Sequence, residues 1–297
     1  MNLSPCLARL VHISDLHFSC PPTNPLNYLS KRFLAYSSQF FSAKRRFSTE
    51  LIDKFLDFLK NSQATHLVIS GDLTLTGSKD EFREVEAFLA KVVKMNINLL
   101  IVPGNHDVYL KRAIDLGLYP LLEQFINKKY THDLYTNRVA LLQDEHLNFI
   151  VLDQTQPTPW GSAKGYFDQT TDQKLKNQLE QAASSKRLLV IGHYPLYQME
   201  KASHELNHYD LVVDTLKTHS NLIGYLHGHC HHAYLRDDRA AGNFISIDAG
   251  SLGSKQKSSF VILEIYEKCI RANFKTLSLK DNVTDKQTFL WSKSLIC

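Results

Sequence analysis

Residues 97–109 read INLLIVPGNHDVY. An apolar run from Ile97 to Val102 meets a Pro-Gly turn. The three side chains after it, Asn105, His106 and Asp107, all carry proton- or metal-binding groups. A short apolar stretch bounded by Pro and Gly reads as a strand buried on both faces, as in a sheet covered by helices. The stretch therefore predicts a strand of an α/β sheet whose carboxyl end delivers chemistry, where open α/β sheets build their sites.

The same pattern recurs outward in both directions. Leu7 to Ile13 runs into Asp15 and His17, and His66 to Ser70 runs into Gly71 and Asp72. Arg187 to Ile191 runs into Gly192 and His193, and Leu222 to Leu226 into Gly228, His229 and His231. A further apolar run, Leu147 to Leu152, ends at Asp153. Intervening segments have helical periodicity and capping signals: Ser78 with Glu81, Ser48, and Thr170 with Gln173. After Gly242 the pattern changes to alternation, with Val261, Leu263 and Ile265 on one face, which predicts a second sheet of antiparallel character over about 243–280. The expected fold is α/β, a four-layer αββα sandwich of two packed mixed β-sheets with outer helices, in a single domain over 1–297.

Composition narrows the class. The 297 residues are 43% hydrophobic, enough for a substantial core. The 34 basic and 30 acidic residues are spread along the chain with a net charge of +4, short of a dedicated nucleic-acid binder's footprint. Cys6, Cys20, Cys230, Cys269 and Cys297 form no C-x-x-C pair, so neither a zinc ribbon nor a disulfide framework is expected. With no leader pattern and no uncharged apolar run long enough to span a bilayer, the expected location is the cytoplasm.

The donors gathered at strand ends are imidazole nitrogens with carboxylate and amide oxygens, a set suited to Mn²⁺, Fe²⁺ or Zn²⁺. They outnumber the needs of one ion. A two-ion site requires a bridging carboxylate, and Asp72, alone on its loop, is the natural choice. Taken singly, each residue has a plainer reading, an Asp as a turn or helix cap and a His as a structural group.

Together the blocks D15-L-H17, G71-D72, G104-N105-H106-D107, G192-H193 and G228-H229-C-H231 resemble, in order, the signature of the calcineurin-like metallophosphoesterase superfamily. The resemblance implies two divalent ions, manganese first with iron or zinc as alternatives. Asp15, His17 and His231 would hold one ion, Asn105, His193 and His229 the other, and Asp72 would bridge them. It also implies catalytic roles for His106, beside the leaving group, and for Asp107, orienting it. The implied reaction is hydrolysis of a small phosphodiester or pyrophosphate by a metal-bridging hydroxide. The chain is similar to bacterial class III cyclic-nucleotide phosphodiesterases and, as the runner-up, to UDP-2,3-diacylglucosamine pyrophosphatases of lipid A synthesis. A non-catalytic scaffold on the same fold is the alternative from another class. The run G-D-x-V-D-R-G of Ser/Thr protein phosphatases is absent.

Outside these blocks, His12, His66, His132, His146, His204, His208, His219 and His232 read as core, cap or surface residues. Asp153 reads as a turn former or a supporting group, and Cys230 as packing inward. The segment 24–47 mixes Lys31, Arg32, Lys44, Arg45 and Arg46 with Tyr28, Phe33, Tyr36, Phe40, Phe41 and Phe47. It reads as a packed cap helix, as a lid whose cations meet substrate phosphate, or as a peripheral membrane contact.

Overall fold

A computed structural model of the chain describes residues 5–20, 47–109, 117–159, 161–238, 244–267, 269–280 and 283–292. In chain order the strands are β1 (Ala8–Ile13), β2 (His66–Ile69), β3 (Asn98–Ile101), β4 (Val139–Gln143), β5 (Leu147–Leu152) and β6 (Arg187–Ile191). They continue as β7 (Leu222–His227), β8 (Tyr234–Asp237), β9 (Ile245–Asp248), β10 (Ser259–Ile265), β11 (Cys269–Thr276) and β12 (Thr284–Ser292). The helices are α1 (Thr49–Lys60), α2 (Lys79–Val93), α3 (Tyr119–Phe125), α4 (Lys128–Asn137), α5 (Gln169–Gln181) and α6 (Tyr209–Leu216).

Two six-stranded mixed sheets result, in the orders β12-β11-β10-β1-β2-β3 and β4-β5-β6-β7-β9-β8. Strand alternation explains how they stack. In β2, Val68 points into the core shared by both sheets, beside Leu10, Val151 and Ile191. Leu67 and Ile69 point the other way, against Leu51, Phe55 and Leu59 of α1 and Val85, Phe88 and Leu89 of α2. On the outside of the second sheet, Ile150, Val190 and Leu222 meet Leu175 and Leu179 of α5 and Val212 and Leu216 of α6. Both faces of the central strands are buried, which is why their sequences are almost wholly apolar. The four-layer αββα sandwich is as expected.

The capping box before α2 is present: Glu81 N–H donates to Ser78 Oγ at 3.2 Å, and Ser78 N–H to Glu81 Oε2 at 3.0 Å. The cap of α5 departs from the Thr170/Gln173 expectation. The helix begins at Gln169, and Asp168 Oδ1 accepts from Thr171 N–H at 2.7 Å. A charged acceptor at the amino end meets both an orphan amide and the helix dipole.

The C-terminal strands also depart from expectation. They form no sheet of their own. β9 runs parallel to β7 in the second sheet, and β10 pairs antiparallel with β1, carrying β11 and β12 onto the edge of the first. Val261, Leu263 and Ile265 do share a face, and it is the face packed into the central core. Alternation sets that face but not the partner strand. Residues 24–46 of the proposed insert lie outside the described residues; Phe47, at its end, is described. No disulfide joins the described cysteines Cys6, Cys20, Cys230 and Cys269. Among the described residues no helix is long and apolar enough to cross a membrane.

Candidate metal centre

The carboxyl ends of β1, β2 and β3 in one sheet and of β6 and β7 in the other open onto one seam. The loops leaving β1 and β2 stay hydrogen-bonded to each other: Asp15 N–H donates to Gly71 O and His17 N–H to Asp72 O, both at 3.0 Å. The chain turns so sharply here that Asp15, His17, Asp72, His229 and His231 all have positive φ, between 51° and 72°. A non-glycine residue in this region costs on the order of 1–2 kcal/mol. Such clustering marks a site whose geometry outranks backbone comfort. Gly104 must come so close to Asp72 that a Cβ would lie 2.1 Å from Asp72 Oδ1 and 2.3 Å from its backbone nitrogen.

One donor cluster comprises Asp15, His17, Asp72 and His231, with one ligand atom from each lying within 4.8 Å of the others. His231 Nε2 is 2.9 Å and His17 Nε2 3.5 Å from Asp15 Oδ1. That oxygen is fully buried and accepts no well-formed hydrogen bond among the described residues. An orphan carboxylate oxygen facing two imidazoles is a pocket for a cation. The second cluster shares Asp72. His193 Nε2 lies 3.5 Å from Asp72 Oδ2 and 3.1 Å from Asn105 Oδ1. His229 Nδ1 lies 3.0 Å from Asn105 Oδ1 and 3.2 Å from His193 Nε2. All seven metal-ligating candidates from the sequence are thus gathered at the seam, and each cluster draws on both sheets.

The rings are aimed by their outer nitrogens. His193 Nδ1–H donates to Ser70 O at 2.7 Å and His229 Nε2–H to His204 O at 2.8 Å, leaving the opposite nitrogens to face inward. Electrostatics complement this arrangement. Burial alone would lower His193, but the Asp72 carboxylate outweighs it and pushes the imidazole up to about 9. Burial and the charge of His193 hold His229 down at about 3. In the other cluster, burial lowers His17. Burial acts the same way on His231, but Asp15 overrides it and raises that imidazole. Burial would raise Asp72, yet the charges of His193 and His106 keep it below the ordinary carboxylate range. Each cluster therefore favours one proton shared among its donors, positive charge at the place a metal ion would take.

His106 sits at the edge of the first cluster, its ring 4.8 Å from that of His17. Its backbone N–H donates to Asp72 Oδ1 at 2.8 Å, and its Nδ1–H to Leu75 O at 2.6 Å, which leaves Nε2 as the ring nitrogen not engaged by Leu75. The geometry corrects the expectation that Asp107 orients this ring. Asp107 Oδ1 accepts from Thr74 N–H at 2.8 Å and Thr74 O–H at 2.9 Å, and Oδ2 from Gly104 N–H at 2.9 Å and Leu73 N–H at 3.2 Å. It clamps the Asp72 loop to the Asn105 loop and acts on His106 only through the backbone. A buried carboxylate next to backbone N–H groups satisfies those amides before it reaches a ring.

Some site residues escaped the sequence reading. Gln154 Oε1 accepts from His193 N–H at 3.0 Å and Tyr194 N–H at 3.1 Å and so holds the His193 loop. The only signal was a polar residue just past β5, at the chemical end of the sheet. Phe47, already singled out at the end of the 24–47 segment, packs against His17 with centroids 4.3 Å apart. Tyr109 stacks on His106 at 5.6 Å, and the His204 ring is 6.3 Å from that of His229. Asp153 is a turn former, its Oδ1 accepting from Thr155 N–H at 2.8 Å. His232 is exposed and faces Tyr234 rather than the cluster. His66 lies at the far end of the sheet, 3.1 Å from Asp144.

Comparison with known proteins agrees with this construction. The family model for calcineurin-like phosphoesterases matches residues 8–233. A protein of Ruthia magnifica subsp. Calyptogena magnifica, described as a "Probable cyclic nucleotide phosphodiesterase", is 26% identical over 187 residues, covering 61% of this chain and 68% of its own length. In fold, the chain is similar to a dimetal phosphatase from Danio rerio, with a TM-score of 0.65, 15% identity and coverage of 98% of this chain and 100% of that one. It is also similar to a purple acid phosphatase from yellow lupin, with a TM-score of 0.57, 12% identity and coverage of 96% of this chain and 53% of the lupin chain. The order of the strand-end donors, their convergence and the matched span carry one conclusion: this chain belongs to the calcineurin-like phosphoesterase family and is a metallophosphoesterase.

Proposed function

We propose that the chain is a phosphodiesterase acting on a small nucleotide-type substrate, with Asp15, His17 and His231 on one metal, Asn105, His193 and His229 on the other, and Asp72 between them. The observation that carries the substrate class is the aromatic rim: Phe47 beside His17, Tyr109 on His106 and His204 near His229 offer flat surfaces at the donor clusters. Such surfaces suit a nucleobase better than a lone phosphate. The description of the Ruthia protein supports the same class.

Two divalent cations, manganese by preference, would when bound supply water activation near neutral pH and neutralisation of the phosphoryl oxygens. The chain does the rest. Asp72 and the imidazoles fix both positions in advance, so the phosphorus meets aligned groups without reorganisation. His106, pinned through Nδ1 to Leu75 O, presents Nε2 to the leaving oxygen and donates a proton to it or stabilises its charge. Asp107 and Gln154 act as positioning residues, holding the Asn105 and His193 loops.

The test is a competition panel in Mn²⁺ with cyclic AMP, a linear dinucleotide, a glycerophosphodiester and UDP-diacylglucosamine. Nucleotide diesters should be turned over at the highest kcat/KM. Preference for the acylated pyrophosphate would replace this reading with the lipid-linked one.

A further inference from the structure

A second group of ligand-type side chains lies behind the first and is used by neither cluster. His227 at the end of β7, Cys230 in the following turn and Asp248 at the end of β9 each offer a ligand atom within 4.8 Å of the others. His227 and Asp248 are fully buried, and Cys230 is partly buried. Asp248 Oδ2 lies 3.5 Å from His227 Nδ1, a nitrogen also 3.0 Å from Gly228 O, and itself accepts no well-formed hydrogen bond among the described residues. Its sister oxygen is occupied by Gly250 N–H at 2.7 Å, so Oδ2 is the one aimed at the imidazole and the thiol. Tyr234 O–H, 3.4 Å from His227 Nε2, and Tyr197 O–H, 3.5 Å from Cys230 Sγ and 2.8 Å from Tyr234 O–H, close the other side.

We propose that His227, Cys230 and Asp248 form a separate mononuclear zinc-type site, with one nitrogen, one sulfur and one oxygen ligand, that buttresses the loop carrying His229 and His231. Charge balance favours this. A thiolate and a carboxylate with a neutral imidazole sum to the charge that one divalent cation cancels, leaving a neutral unit in a low-dielectric interior. Position supplies the role. Cys230 sits between His229 and His231, whose backbones are both left-handed at φ 72° and 53°. A bond from Cys230 to an ion also held by β7 and β9 would lock the strained turn from behind.

Sulfur makes the proposal testable apart from the phosphoesterase centre, because every ligand assigned there is nitrogen or oxygen. The full chain would be loaded with Co²⁺ and its near-ultraviolet spectrum recorded, and the zinc-loaded protein would be examined by X-ray absorption. The expected results are a thiolate-to-cobalt charge-transfer band, a sulfur shell at about 2.3 Å and three metals per chain. Cys230→Ser and Asp248→Asn should each abolish the band and lower the count to two; persistence of the band in Asp248→Asn would overturn the site. Two metals with no sulfur shell in the unmodified chain would also overturn it, while leaving the phosphoesterase centre intact. One metal with a sulfur shell would support this site and sink the two-metal reading. No bound metal would sink both.

Discussion

The Nε2 atoms of His17 and His231, 214 residues apart in the chain, stand 3.1 Å from each other beside Asp15 Oδ1. Two imidazole nitrogens this close cannot both carry protons. The arrangement suits one shared proton or one shared cation; without a cation, burial lowers His17 while Asp15 raises His231, so the proton belongs with His231. Metal binding should therefore displace protons rather than simply add charge.

His193 gives that displacement a pH window. Its imidazole, pushed up to about 9, is protonated over most of the neutral range in the metal-free protein, and the metal-bound form needs it neutral. Affinity should rise with pH until about 9 and then level off, losing roughly tenfold per unit below that point for this one proton. Calorimetry in buffers of different ionisation enthalpy should show proton release at pH 7. Equal heats across buffers would contradict it. For the metal-free fold the trend runs the opposite way: the stability from protonated His193 is complete below its unfolded value near 6.5 and disappears as pH rises through 9.

Asp72→Asn should keep the fold and lose the bridge. Asp72 is buried, and its Oδ1 holds His106 N–H, so the isosteric amide tests charge more than shape. A fall in kcat of about a hundredfold to a thousandfold is expected, as for removing one preorganised electrostatic group. Bound metal should also decrease by mass spectrometry. A variant as active and as metal-rich as the parent would remove Asp72 from the centre.

His106→Ala should lower kcat by about 10²- to 10⁴-fold while both metals stay bound. The loss should shrink for substrates with good leaving groups, such as bis-p-nitrophenyl phosphate, because a proton matters least there. An equal loss on good and poor leaving groups would argue for charge stabilisation in place of proton donation.

Asp107→Asn separates clamping from catalysis. Since its carboxylate accepts from Thr74, Leu73 and Gly104 and leaves the His106 ring alone, the variant should bind metal more weakly and lose thermal stability. The leaving-group dependence that reports on His106 should be unchanged. A changed dependence with unchanged metal affinity would restore a direct role.

Asp168→Ala removes the cap of α5 and should cost about 1 kcal/mol in a denaturant titration. Hydrogen bonds from Tyr166 and Thr171 depress Asp168 to about 2. Its contribution is therefore complete above its unfolded value near 3.8 and is lost as pH falls through 2. Thr170→Ala should be nearly neutral, because Thr170 lies inside the helix.

Local chemistry made much of this protein legible from the chain alone. A run such as Leu99 to Val102 can be buried on both faces only in a covered sheet, and the donor after each such strand can lie only at one end of it. The strand ends, the capping box at Ser78 and Glu81 and the donor roster therefore follow from periodicity and residue type. The tertiary structure decided what depends on partners. Register and strand choice sent β10 to β1, contrary to the expected separate sheet, because alternation specifies a face and leaves the neighbour open. It turned Asp107 to backbone amides, brought Gln154 under His193 and set Phe47 on His17, since burial makes each group satisfy whatever lies nearest in space. It also held five donors in left-handed backbone, a strain that only the packed loops of two sheets can impose.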